Sequence, residues 1–245
     1  MIHNSYIFLD GISLSTEQKI WNQDIKSWDD FIKKEIPGIS SLRKSFYNVQ
    51  IKKAKQSLHS GEVSFFANNL PKSQHWRLYS HFKDEAVFLD IETDPYEITA
   101  ITLYDGEETK TMIRDINLDF KQLKQILSQY KLIITFNGSC FDLPVLEKHY
   151  SNIIPNIPHF DLRFGCSQVG LKGGLKSIEK QLNIKRSKEL NNVYGEDAVL
   201  LWKLWQRSKN TDYLDLLVKY NQEDTINLKP LADKIYPILC YTMKK

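Results

Sequence analysis

Asp90 and Glu92 stand two residues apart in AVFLDIETD, residues 86–94, whose first four residues are apolar. Alternate residues of a strand share a face, so both carboxylates point one way while Leu89 and Ile91 point the other. Like charges on one face repel and lose hydration when covered. A divalent cation, which favours carboxylate oxygens, relieves both problems; an exposed strand end relieves them as well. Asp142 lies in TFNGSCFDLPVL, residues 135–146, just ahead of a proline that suits a first helical turn. A carboxylate there gains from the helix N-terminal field and serves either as a cap or as a ligand. Asp224 lies in KYNQEDTINL, residues 219–228, four residues after Tyr220 and one turn away on the same helical face. Leu216, Leu217 and Leu228 mark that face as partly buried, so the acid needs a basic partner or an ion. FLDGIS, residues 8–13, shares the FLD triplet but follows Asp10 with Gly11 and no second acid, and is read as structural.

The elements that must carry these groups follow from periodicity. AVFLDIE reads as a strand, and EITAITLYDGEETKTMIRD as two strands joined at Asp105-Gly106, a hairpin signal. LDFKQLKQILSQY has helical spacing, and KLIITF is a short β-branched strand. Pro144 is expected to open the helix LPVLEKHY, and HFDLRF is expected to form another strand. GGLKSIEKQL, EDAVLLWKLWQ and TDYLDLLVKYNQEDTINLKPLADKIY read as helices, the last broken or bent at Pro230. The order is β-β-β-α-β-α-β and then helices, with a mixed sheet.

Residues 1–80 carry shorter elements. One helix is expected to start near Ser15 with Gln18 as its capping-box partner, another at Ser27, stopped by Pro37-Gly38. A third, SSLRKSFYNVQIKKAKQSLHSG, places Leu42, Phe46, Val49 and Leu58 at roughly helical spacing and stops at Gly61. Arg43, Lys44, Lys52, Lys53 and Lys55 crowd it, as a solvated face or a nucleic-acid contact.

FLDIE, NGSCFD and YNQED match, in type and order, the three exonuclease motifs of the DEDD superfamily, over roughly residues 84–230. More narrowly, the chain looks like the YprB-type predicted exonuclease family. GGLKSIEKQL, EDAVLLWKLW and the leader GISLSTEQKIWNQDIKSWDDF are similar to segments flanking the motifs there. The resemblance implies an α/β ribonuclease-H-like fold, a mixed β-sheet flanked by helices, at residues 81–245, preceded by a small helical extension at 1–80. It implies that Asp90, Glu92, Asp142 and Asp224 bind two Mg2+ or Mn2+ ions, and that nucleotides are removed 3′→5′ from DNA or RNA. Tyr220 occupies the tyrosine position of the third motif. Lys219 stands where the other subclass keeps histidine, and no histidine follows His159, so the tyrosine subclass is favoured. With an ordinary pKa near ~10, Tyr220 is assigned to orienting the attacking water before abstracting its proton.

Other residues are candidate substrate contacts. Asn137 could hydrogen-bond the terminal nucleotide or serve the turn. Phe141 could stack on a base or fill core. Asp161 could hold a water beside the metals, or pair with Arg163 or a backbone group. Lys172 and Lys176 flank Gly173-Gly174, whose amides suit a phosphate as readily as a loop. Trp21, Trp28, Trp202 and Trp205 are expected to pack in the core.

Composition bounds these readings. The 245 residues are 42% hydrophobic and 26% charged, enough for a substantial core. Three scattered cysteines without CxxC spacing suggest neither disulfide framework nor zinc site. The first residues lack a signal-peptide pattern and no apolar run reaches ~20 residues, which predicts a soluble, cytoplasmic protein. Net charge is only +3, with eleven lysines and arginines against seven acids in residues 1–80. An endonuclease on the same fold and a non-catalytic nucleic-acid-binding module are the competing functions.

Overall fold

Strand β1 (Ala86–Thr93) is the axis of the molecule because its two faces have different partners. In this computed structural model, which describes residues 1–95, 97–190 and 193–243, it pairs with β2 (Ile98–Tyr104) on one side and β4 (Leu132–Thr135) on the other. With β3 (Thr109–Ile113) and β5 (His159–Asp161) the sheet order is β3-β2-β1-β4-β5. Pairing is antiparallel through β1, β2 and β3 and parallel through β1, β4 and β5. The β2–β3 turn forms as the Asp105-Gly106 pair predicts. Asp105 Oδ1 accepts the backbone N–H groups of Glu107 and Glu108 at 2.9 and 2.8 Å, and Gly106 takes a φ of 106°.

Val87, Leu89 and Ile91 enter one core layer, with Ile133, Leu123, Leu127 and Leu146. The last three come from α6 (Phe120–Leu127) and α7 (Asp142–His149). Ala86 and Phe88 enter the opposite layer, with Leu132, Ile134, Phe160 and residues of α11 (Thr211–Thr242). α8 (Leu162–Gln168) and α9 (Leu175–Gln181) border that layer, and α10 (Gly195–Ser208) packs Trp202 and Trp205 against α11.

Residues 1–80 form α1 (Leu14–Asn22), α2 (Trp28–Lys33), α3 (Ser41–Ser60), α4 (Ser64–Asn69) and, after a 3-10 turn at Lys72–Leu78, α5 (Tyr79–Phe82). Their buried side chains join the β1–α11 layer. Trp21 and Trp28 pack here, their indole N–H groups donating to the carbonyls of Asn4 and Ser5, both at 2.7 Å.

Several boundaries differ from expectation. Ser13, not Ser15, caps α1, accepting from the Thr16 N–H. Ser27 does cap α2, but that helix ends at Lys33, before Pro37. On α3 the buried stripe is Tyr47, Ile51, Ala54 and Leu58, while Leu42, Phe46 and Val49 face solvent. Leu58 lies in the buried stripe, apart from Leu42, Phe46 and Val49. Of the α3 basic residues, Lys44 is buried and donates to the Ile32 carbonyl, and Lys55 pairs with Asp29. HFDLRF is a strand only to Asp161, which then caps α8. α7 begins at Asp142, two residues before Pro144. The proline is tolerated because first-turn N–H groups have no intrahelical acceptor. Finally, α11 remains helical through Pro230 and Pro237. Each proline costs about 3 kcal/mol, offset by burial of Leu228, Leu231, Ala232, Ile235 and Leu239.

Candidate metal centre

β1 outruns its parallel neighbour. The β1–β4 register ends at Phe88–Ile134, so Asp90 and Glu92 project beyond the end of β4, at the carboxyl edge where open α/β sheets bind ligands. Their even-numbered face looks toward α11, which supplies Asp224. One oxygen each from Asp90, Glu92 and Asp224 lies within 4.8 Å of the others. At such spacings two unit charges repel by about 4 kcal/mol at an effective dielectric of ~20.

Asp142 reaches the same edge by another route. After β4 the chain turns at Asn137, whose φ of 68° is left-handed, and Gly138 packs against Thr135 so closely that a Cβ would sit 2.1 Å from its hydroxyl. The turn delivers Asp142 to the start of α7. There its Oδ1 accepts the Ile91 N–H at 3.1 Å, satisfying a β1 donor beyond the end of the β1–β4 register.

The acids share a raised proton affinity. Burial and then the charges of Asp142, Glu92 and Asp224 hold Asp90 well above the usual carboxylate range. Burial and the charges of Asp224 and Asp142 do the same to Glu92. Burial pushes Asp142 up to about 7. Asp224 is raised by burial against the opposing pull of Arg186. Neither Asp90 nor Glu92 has a basic partner among the described residues. Crowded, half-buried hard oxygens without a basic partner are a donor set that suits a divalent ion, and these residues fit one.

Asp224 differs. Its Oδ1 accepts from Arg186 Nη1, and Arg186 also grips Glu179 at 2.5 and 2.9 Å through Nε and Nη2. Arg186 and Glu179 were missed by sequence reading. The available signal was an acid in the GGLKSIEKQL helix, whose seclusion no spacing rule reveals. Asn221 was missed too. One turn before Asp224, it donates through Nδ2 to Asp90 Oδ2 at 2.7 Å and fixes that carboxylate. Tyr220 is buried, one helical turn before Asp224. Burial and the charges of Asp224, Glu92 and Asp90 raise its pKa.

The remaining candidates fall elsewhere. Asp161 accepts the N–H groups of Asn137 at 2.8 Å, Ser139 at 3.0 Å and Arg163 at 3.1 Å, so it clamps the turn that delivers Asp142. Asn137 Oδ1 accepts from Arg163 Nη1 at 2.7 Å. Phe141 is 41% exposed and does not fill core. Lys176 donates to the carbonyls of Leu190 and Val193 and lies 5.2 Å from the Tyr220 ring centre. Lys172 is exposed on the loop before α9. Gly173 has a φ of 120° and abuts Ser177, which accounts for a glycine there. Beside the 137–142 turn, a cleft of about 770 Å³ is lined by Lys72, Ser139, His159 and Phe164 among others.

A family model of the RNase H superfamily matches residues 87–236, which include all four acids and Tyr220. No curated protein matches the chain. No helix among the described residues is long and apolar enough to cross a membrane.

Proposed function

Since the chain belongs to the RNase H superfamily, whose members are usually nucleases, we propose that it is a 3′→5′ exonuclease of the tyrosine DEDD type, related to the YprB-type family and acting on DNA or RNA. The observation that carries this reading is the convergence of Asp90, Glu92 and Asp224 oxygens within 4.8 Å at the carboxyl edge of β1, with Asp142 beside them. Asp90, Glu92, Asp142 and Asp224 would hold two Mg2+ or Mn2+ ions, which when bound supply water activation and stabilisation of the leaving oxygen in an in-line displacement.

The chain's own groups do the rest. Asn221 holds Asp90 in one rotamer through the 2.7 Å bond to Oδ2. Asp161 holds the turn that sets Asp142. The Tyr220 hydroxyl, one helical turn before Asp224 on α11, orients the attacking water, with proton abstraction its second role. Exposed Phe141 caps the start of α7 within reach of a nucleobase, and Lys72 and Phe164 in the adjoining cleft offer a cation and a stacking face for a single strand.

The test is a panel of end-labelled single- and double-stranded DNA and RNA, with a circular single strand alongside. Shortening from the 3′ end with Mg2+ or Mn2+, none with chelator and none by Asp90→Asn is expected. Cutting of the circle would replace exonuclease with endonuclease, and full activity of Asp90→Asn would refute the site.

A further inference from the structure

We infer that Arg186 is a resident cation of the acid cluster, which keeps divalent-ion binding weak in the free protein and links it to nucleic-acid binding. The inference rests on the metal-dependent reading above and concerns a residue outside the sequence motifs.

Three observations carry it. First, the Arg186 guanidinium is bonded to Asp224, one of the three acids whose oxygens converge. Second, it cannot give up its proton, because arginine stays charged in proteins. Third, it cannot readily leave. Its side chain is 5% exposed, and Nε and Nη2 both engage Glu179, which is itself 1% exposed. Asn227, on the same helix as Asp224, donates to Glu179 Oε1 at 3.0 Å and braces the anchor. Withdrawing Arg186 would strand Glu179 as an unpaired buried charge, which is strongly unfavourable.

An ion entering between Asp90, Glu92 and Asp224 therefore shares Asp224 with a fixed positive charge. Affinity for hard cations depends on the net charge of the ligand set and on its rigidity. Arg186 raises the rigidity but lowers the negative charge, and at contact distance in a secluded pocket the charge effect dominates. A substrate phosphodiester adds back one negative charge. Ion and nucleic acid then bind cooperatively, and the coupling is reciprocal.

The test measures Mn2+ affinity of the full chain, by the EPR signal of free Mn2+, with and without a short phosphorothioate oligodeoxynucleotide that resists hydrolysis. Arg186→Gln is compared with Arg186→Lys and with the double variant Glu179→Gln/Arg186→Gln, which removes both charges of the buried pair and so guards against misfolding; circular dichroism checks each. The wild type should bind Mn2+ more tightly with the oligonucleotide than without. The double variant, without oligonucleotide, should bind Mn2+ at least ~10-fold more tightly than wild type, on the scale of typical coupling energies, and the oligonucleotide effect should shrink toward none. Arg186→Lys should remain as weak as wild type. Unchanged or weakened Mn2+ affinity in the folded double variant overturns the inference even if the wild type degrades nucleic acid. Tightened affinity in a chain that neither binds nor cuts any oligonucleotide keeps Arg186 as a resident cation, but overturns its link to nucleic acid and the nuclease reading with it.

Discussion

Two regions of the molecule bury acids, and they do so in opposite ways. In the N-terminal region Glu17 is fully buried. Its Oε1 accepts from the N–H groups of Tyr6 and Ile7, the Ser5 hydroxyl and Arg77 Nη1, and Arg77 is equally buried. At the edge of β1, Asp90 and Glu92 are crowded by two more acids and have no base at all among the described residues. The contrast shows that this chain supplies a counter-charge where an acid only ties segments together. Where it withholds one, the cation is expected from outside. The Arg186 network lies between the two cases, a structural pair with Glu179 whose third bond reaches into the acid cluster.

The largest expected effect tests the unpaired side. Asp90→Asn preserves size and the acceptor for Asn221 yet removes a ligand charge. Steady-state kinetics should show kcat lower by at least about 10³-fold, the scale of losing one electrostatic element of an active site, with the circular dichroism spectrum unchanged. The paired side should answer in stability. Arg77→Ala leaves Glu17 buried without its base, so urea unfolding should show a loss of about 3–5 kcal/mol, while activity per folded molecule stays the same. Tyr220→Phe removes only an oriented hydroxyl. We expect kcat to fall by about 10–100-fold with KM little changed, and a larger loss would return Tyr220 to the role of base.

The smallest effect concerns pH. Acids whose folded pKa is raised bind protons more tightly folded than unfolded, so their contribution is present at low pH and is lost as pH rises through the folded value. For Asp142 the window runs from the unfolded carboxylate range, near ~4, to about 7. In chelator, the melting temperature should therefore fall by a few degrees between about pH 5 and pH 8. Mn2+ should restore it at pH 8, and Asp90→Asn should flatten the profile. A flat wild-type profile would mean the acids are compensated after all.

Strand periodicity made β1 legible, and with it the shared face of Asp90 and Glu92, because a strand fixes side-chain direction locally. Helical spacing likewise placed Tyr220 beside Asp224. What lay beyond reach was set by partners distant in sequence. Helix α3 carries two apolar stripes, and only the neighbouring helices decide that Tyr47, Ile51, Ala54 and Leu58 turn inward. Asp161 reads in sequence as a group holding a water beside the metals or as an acid paired with Arg163 or a backbone group; the backbone has it, through two N–H groups of the turn after β4 and that of Arg163. Arg186 and Glu179 sit in ordinary charged contexts, and their seclusion depends on α11 closing over them. Pro230 reads as a break or a bend, and the helix continues through it without a break because its apolar stripe is buried against the sheet layer.

The placement of the leader against the sheet carries a practical consequence. The Met1 amino group reaches the Tyr236 hydroxyl at 3.1 Å, Tyr79 donates to Asp233 at 2.8 Å, and His75 accepts the His159 N–H at 3.0 Å. Residues 1–80 are thus one wall of the room whose other walls are the sheet and α11. A fragment beginning at residue 81 would uncover Phe160 and Tyr236, against whose rings Tyr79 and Trp76 pack, and leave an apolar surface facing water. Expression of such a fragment should give aggregates, so catalytic work is best done on the uncut polypeptide.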